Sequence, residues 1–449
     1  MNGYQLPAAC LPDPGSEQAH LAGLLPAGTV SIDVSVPAAP PVRASSGCPA
    51  GSSDAVPEAA DCAVLAWARS GLMALTGCAS GPPLSPAAPV VTRVHAVASA
   101  IAELASEQER ALELDVHEVL TGRAAEAGWQ RRGSVSANGT CRLLPAADGW
   151  LAVNLARPVD VRSVPAVLGR DLAGDPWAEL RADAACRPAA ELAAAAQLVG
   201  IPAAVLGGDA PAPLRLIALG PRAAPPSAQG LVVDLSAMWA GPLCASILRR
   251  AGWRVLKVED SRRPDGARFG LPRFYADLHA GQPAVRLDFG SAAGRSELHR
   301  LADKAAVVIE SSRPRALRRL GLIAEDWLRA SPGRIWVSVT GYGRDDPQQR
   351  VAFGDDAAVA GGLVAYGPDG APVFCGDAIA DPLTGLYAGL AALAAHAAGG
   401  GTLVDVAMAG VSADIARTSA GPLLPHVISQ AGERWVVGHG ALTEAVQAP

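Results

Sequence analysis

Two acidic residues, Asp377 and Asp381, stand in the stretch Cys375-Gly376-Asp377-Ala378-Ile379-Ala380-Asp381-Pro382-Leu383-Thr384-Gly385-Leu386, directly ahead of a long Ala/Leu-rich run. A carboxylate followed by Pro and an apolar helix reads as an N-cap, where backbone N–H groups and the helix dipole hold it ionised and oriented. An ionised, oriented carboxylate is a nucleophile that needs no general base. It is equally a plain helix cap, and the two roles are compatible. Asp381 is the leading candidate and Asp377 its rival. Metal chemistry finds no support: the eight cysteines form no Cys-x-x-Cys pair and meet no His-x-x-x-His partner, which also argues against a disulfide framework.

The elements that must position such a residue are legible upstream. Leu231-Val232-Val233-Asp234-Leu235 reads as a buried strand, Gly241-Pro242 opens a helix through Arg250, Gly252 ends it, and Arg254–Glu259 is the next strand. The rhythm returns with a helix near 292–303, the strand Ala306–Glu310, helices at 313–320 and 324–330, and a strand over Arg334–Val339. Strands alternating with helices predict an α/β fold with a parallel, Rossmann-like sheet covered on both faces. The first strand is followed by Ser236-Ala237-Met238-Trp239-Ala240-Gly241-Pro242 rather than G-x-G-x-x-G, so a nicotinamide or flavin site fails at its first required turn.

The 449 residues have room for two or three domains. Residues 1–55 are rich in Pro, Ala, Gly and Ser and read as an appendage, with one strand-like piece at Thr29–Val34. A Gly/Pro-rich crossover around 208–229 divides the remainder into 56–225 and 226–449. Net charge is −6 and no Lys/Arg cluster alternates with aromatics, which speaks against nucleic acid binding. The first basic residue is Arg43 and no long uncharged apolar run occurs, so neither a signal peptide nor a membrane span is expected, and the protein is expected to be cytoplasmic.

An internal repeat adds to this picture. Arg69–Gly77, Gly81-Pro82-Pro83, a helix near 93–105 and Glu113–Val116 recur in order as Ala360–Gly367, Gly370-Ala371-Pro372, the helix after Asp381 and Leu403–Val406. With Gly81 laid on Gly370, Thr92 falls where Asp381 stands, so the first copy lacks the carboxylate.

Val233-Asp234-Leu235-Ser236 with Ala240-Gly241-Pro242, then Leu256-Lys257-Val258-Glu259, Val308-Ile309-Glu310-Ser311-Ser312-Arg313-Pro314, Leu320-Gly321-Leu322, Val337–Gly343, the Asp381 segment and Val404–Met408 resemble the successive landmarks of the class III CoA-transferases. That group includes formyl-CoA and carnitine CoA-transferases and the α-methylacyl-CoA racemases. Asp148–Val153 and Gly200–Val205 resemble the family's smaller α+β domain, expected over 120–205. The order of the parts is inverted relative to the family, as in a permuted or fused, partly duplicated member. On this reading 56–225 holds the degenerate copy and the small domain, and 226–449 holds the nucleotide-type domain with the nucleophile.

The resemblance implies transfer of CoA between an acyl-CoA thioester and a carboxylic acid through an aspartyl covalent intermediate, with CoA as substrate and no permanently bound cofactor or metal. It selects Asp381 over Asp377, because the family spacing places the nucleophile four residues before Gly385. It implies CoA contacts at Met238, Trp239, Ala240, Ser311, Ser312, Arg319 and Gly385, and an interlocked homodimer. The chain departs from the pattern at Gln282 and Asp260, where cations are common; Arg262, Arg263 and Arg268 stand near enough to substitute, or are plain loop charges. A racemase requires a His paired with the Asp, and Phe353-Gly354-Asp355-Asp356 in that region contains none, which favours transfer. A racemase-like isomerase and a catalytically silent acyl-CoA-binding paralogue are the alternatives.

Overall fold

The structure, a computed structural model, describes residues 4–6, 62–106, 110–224, 230–418, 426–432, 434–439 and 442–449. Most of the N-terminal appendage, with its expected strand at 29–34, lies outside the described residues. Its described piece, β1 (Tyr4–Leu6), is a strand and pairs antiparallel with a C-terminal strand. Three helices follow: α1 (Ala63–Arg69), α2 (Val90–Ser106) and α3 (Val116–Ala127). The expected small domain is present as the antiparallel strands β2 (Cys141–Ala146), β3 (Gly149–Asn154) and β4 (Ala203–Val205), with α4 (Pro158–Leu168), α5 (Pro176–Ala184) and α6 (Ala189–Leu198) on one face.

The large sheet is built from β5 (Leu214–Ala218), β6 (Leu231–Asp234), α7 (Ala240–Arg250), β7 (Arg254–Asp260), α8 (Pro272–Leu278), β8 (Ala284–Leu287), α9 (Ala292–Asp303), β9 (Ala305–Glu310), α10 (Pro314–Arg319), α11 (Ala324–Ala330) and β10 (Ile335–Thr340). It is completed by α12 (Gly354–Ala360), the hairpin β11 (Ala365–Tyr366) and β12 (Pro372–Val373), α13 (Ala380–Ala397), β13 (Thr402–Ala407) and α14 (Met408–Arg417). Strands β14 (His426–Ala431), β15 (Arg434–His439) and β16 (Leu442–Ala445) form a separate antiparallel sheet with β1.

The seven-stranded order is β5-β13-β10-β9-β6-β7-β8, and every pairing is parallel except that of β13 with β5. Both faces are covered, which is why the strands read as continuous apolar runs. Val232, Val307, Ile309, Val337 and Val404 pack against α7, α13 and α2, while Val233, Val308, Trp336 and Leu403 pack against α9 and α11. The Gly/Pro-rich crossover itself joins the sheet: β5 lies within it and pairs along β13.

Helices α1 to α3 share the main core with α7 and α13. The free face of the small antiparallel sheet, carrying Cys141, Leu143 and Ala152, packs on Val359, Val364 and Phe374 around α12 and its hairpin. The element order helix, short β pairing, long helix, helix occurs twice, as α1, the Gly77–Pro83 bridge, α2 and α3, and as α12, β11–β12, α13 and α14. Only the second series has a strand, β13, before its last helix. Among the described residues no helix is long and apolar enough to cross a membrane.

Candidate functional site

The topology itself selects a location. From β6 the chain proceeds to β7 and β8 on one side, then returns to β9 on the other, so the strand order reverses between β6 and β9. A crevice outside the carboxyl ends of the strands at such a switch point is where α/β sheets bind ligands. The two loops leaving these strands carry Met238, Trp239 and Ala240, and Ser311 and Ser312. They are tied together by the Ala237 N–H, which donates to Ser311 Oγ at 2.9 Å.

The loop after β6 is held from beneath by a buried network. Lys257 Nζ lies 3.3 Å from Asp234 Oδ2 and 3.1 Å from Asp265 Oδ2, and it donates to the Ser236 carbonyl. The Met238 N–H donates to Asp265 Oδ1 at 2.9 Å. These bonds hold Met238 at φ 72°, a left-handed conformation unusual for a side-chain-bearing residue. Met238 is exposed, Trp239 is buried, and Ala240 opens α7.

Asp381 reaches this crevice because two helices approach closely. A Cβ on Gly385 would stand 2.8 Å from the Ala240 carbonyl oxygen and from the Leu243 side chain, so α13 and α7 can meet only with glycine there. Gly385 is therefore a packing residue that sets the site. That contact brings the Ala240 N–H close enough to the Asp381 carboxylate to favour its charged form. Gly354, at the start of α12, serves the same end, since a Cβ there would collide with the Ala378 carbonyl and with Asp381 Oδ2.

Two expectations about Asp381 are corrected. It is not an N-cap: Ile379 caps α13 and Asp381 is the second helical residue, its N–H donating to the Ala378 carbonyl at 2.8 Å. The cause is the preceding turn, in which Gly376 (φ 65°) and Ala378 (φ 43°) are both left-handed and start the helix early. Nor is Asp381 held firmly ionised. It retains partial solvent access, but protein crowds it on most sides, and this burial pushes its carboxyl up to about 7. Arg123 opposes the shift, Asp355 and Asp377 reinforce it, and the Ala240 N–H lowers it.

These neighbours form an acidic cluster drawn from distant parts of the chain. Arg123 of α3 grips Asp377 with two bonds of 2.7 Å, from Nε to Oδ2 and from Nη2 to Oδ1. Asp355 accepts from Asn138 Nδ2 and from the Ala378 N–H, each at 3.0 Å. Asp356 accepts from Asn154 Nδ2 at 3.0 Å and from the Phe353 N–H at 3.1 Å. Burial pushes Asp355 up to about 6 and Asp356 up to about 8. Burial works against the Arg123 cation, but Asp377, Asp381 and Asp355 together raise its pKa. The Gly376 N–H donates to Thr76 Oγ1 at 3.2 Å, a second contact from the first half of the chain.

The remaining expected contacts divide. Ser312 Oγ donates to Glu310 Oε2 at 3.3 Å, and Arg319 is exposed at the end of α10. Two of the three nearby arginines are engaged elsewhere: Arg268 binds Glu259, and Arg262 binds Asp288 at 2.8 Å. Arg263, after β7, instead lies near Arg313, after β9, as does Arg315; Arg157 of the small domain is also near, but its guanidinium is held by Asp160 at 2.6 Å and the Gly200 carbonyl at 2.8 Å. The Arg313 pKa is lowered by burial and then by the repulsion of Arg315, Arg157 and Arg263. Mutually repelling guanidiniums at the carboxyl ends of β7 and β9 are suited to a polyanion. The sequence offers no local motif for Arg123 or Asn138, and the segment holding Asp355 draws notice there only for its lack of a His.

A family model described as CoA-transferase family III matches residues 228–433. The chain is similar to succinyl-CoA–D-citramalate CoA-transferase of Chloroflexus aurantiacus, 31% identical over 189 residues, covering 39% of this chain and 47% of that protein. It is also similar to succinate–glutarate CoA-transferase of Agrobacterium fabrum, 31% identical over 216 residues, covering 43% of this chain and 54% of that protein. Among solved structures, a CAIB/BAIF family protein from Brucella suis is 28% identical, covers 43% of this chain and 56% of that chain, and has a TM-score of 0.39. The chain spans about half the length of the curated relatives it matches.

Proposed function

We propose that the protein moves CoA between an acyl-CoA thioester and a free carboxylic acid, with Asp381 as the covalent relay. One observation carries the reading: a partly accessible carboxylate stands at the switch-point crevice, against the Ala240 N–H at the start of α7. A carboxylate oxygen of Asp381 attacks the thioester carbonyl, the C–S bond breaks and CoA leaves as the thiolate. The thiolate attacks the aspartyl carbonyl of the mixed anhydride, releasing the donor acid and leaving an aspartyl–CoA thioester. An acceptor carboxylate attacks that thioester and the thiolate returns to its acyl group, which frees Asp381. Each bond formed replaces one broken, so the relay needs no oxidant and no net proton.

Arg263, Arg313 and Arg315, beyond the strand ends, suit the phosphates of CoA and support this reading, standing in for the cations absent at Gln282 and Asp260. On this reading the loop bearing Met238, Trp239 and Ala240, tied to Ser311 through the Ala237 N–H, contacts the CoA chain between its phosphates and its sulfur. The names of the relatives point to small dicarboxylic acids as one class of acceptor. The recurring element order further supports reading 69–116 as a degenerate copy of the catalytic segment at 360–406.

Incubation with a panel of short acyl-CoAs, followed by acid quench and mass spectrometry, is expected to reveal a CoA adduct on the peptide containing Asp381. Asp381→Asn should remove both adduct and turnover while the protein stays folded. An amide cannot form the anhydride, and losing covalent catalysis costs several orders of magnitude in rate. Full turnover in that variant would end the covalent reading.

A further inference from the structure

The ion pair between Arg123 and Asp377 joins residues 254 positions apart, and it is placed to act on Asp381. Asp377 lies four residues before Asp381, on the turn that starts α13, and is fully buried. Arg123 lies over the rings of Trp239 at 4.8 Å, Trp129 at 5.2 Å and Phe274 at 5.8 Å, so three aromatic side chains fix its guanidinium. Trp239 is also the residue before Ala240, whose N–H meets Asp381. The arginine thus touches both arms of the site, the turn that presents the carboxylate and the loop that presents the donor.

We propose that Arg123 is a positioning residue of the Asp381 site: supplied by the amino-terminal segment, it locks the 376–381 turn and provides the positive charge that balances the acidic cluster. The proposal rests on Asp381 being the nucleophile and adds a residue that the matched segment, 228–433, does not contain.

The charged groups facing Asp381 can be named element by element. α12 contributes Asp355, with Asp356 beside it and coupled to Asp355, the turn contributes Asp377, and α3 contributes Arg123, while α7 contributes a backbone N–H. Farther along α13, Asp414 of α14 accepts from the Tyr387 hydroxyl, and Arg93 of α2 reaches Thr418. Arg123 is the cation that acts on both Asp355 and Asp381. Its removal leaves the carboxylates to repel one another, whereas removal of Asp377 frees the Arg123 charge for Asp381. The two substitutions must therefore shift Asp381 in opposite directions. A merely structural clamp would not show this, since breaking it from either end loosens the same turn.

The test follows the Asp381 carboxyl directly in the full-length protein labelled with 13C-aspartate, its resonance assigned by its absence in Asp381→Asn. Arg123→Gln is expected to raise the Asp381 titration midpoint by about one unit or more, and Asp377→Asn to lower it by about one unit. The double variant should return close to the starting value, and Arg123→Lys, which keeps the charge, should stay near it. Midpoints that do not move, or that move in the same direction in both single variants, would overturn the proposal. If Arg123→Gln does not fold, Asp377→Asn and Arg123→Lys decide it: the first must titrate lower and the second close to the unsubstituted protein. The measurement uses no substrate. Opposed shifts without CoA transfer would therefore sink the reaction and spare this inference, and CoA transfer with unmoved midpoints would do the reverse.

Discussion

A carboxylate attacks only when ionised, and at Asp381 burial places ionisation at about 7. The sign follows directly: protons compete with nucleophilicity below that value, so kcat/KM should rise with pH through an acid limb centred near 7. At pH 6 only about a tenth of the enzyme would be active. An N-cap aspartate in water would instead give a limb near 4 and a flat profile across the neutral range. Initial rates between pH 5 and 9 with one acyl-CoA and one acceptor separate the two cases. A partly protonated nucleophile has a chemical counterpart: a carboxylate that is costly to keep charged in place gains more from forming a neutral acyl adduct.

At the scale of elements, the decisive contact is the close passage of α13 over α7, where Gly385 meets Ala240 and Leu243 and Gly389 meets Ile247. Gly385→Ala forces these helices apart and should cost about 1–3 kcal/mol of stability. It should also withdraw the Ala240 N–H from Asp381 and lower kcat. Gly149→Ala, at the start of β3 where nothing lies within reach of a new Cβ, is the control and should leave both melting temperature and kcat unchanged. If Gly385→Ala kept wild-type kcat despite a lower melting temperature, the helix contact would be stabilising without setting the site.

Across the described residues burial raises the carboxyls of Asp355 to about 6, Asp381 to about 7 and Asp356 to about 8, from an unfolded value near 4, and raises Glu310 as well. Over that window the native state binds more protons than the unfolded state. Their contribution to stability is therefore complete below about pH 4 and is lost as pH climbs through 6 to 8. Asp356→Asn removes the largest of these terms and keeps acceptors for Asn154 and Phe353. Its melting temperature should match the parent near pH 5 and exceed it by several degrees near pH 8. Equal melting temperatures at both pH values would show that Asp356 is not buried as a charge.

The strands at 231–234, 254–260, 305–310 and 335–340 and the helices between them were legible because each is a local pattern: an apolar run of strand length bounded by glycine, or a 3.6-residue periodicity. The candidacy of Asp381 was legible for a similar reason, since its neighbours Pro382 and Gly385 lie in the same short stretch. The antiparallel placement of β5, the early start of α13 and the ionisation of Asp381 were not. They depend on groups far away in sequence: the sheet edge offered by β13, the left-handed turn pinned by Asp355 and Thr76, and the charges of Arg123 and Asp355. Local propensity decides which residues become strand and helix. Coulomb forces and desolvation act through space, so the chemical state of the site is decided only when the first half of the chain is folded against the second.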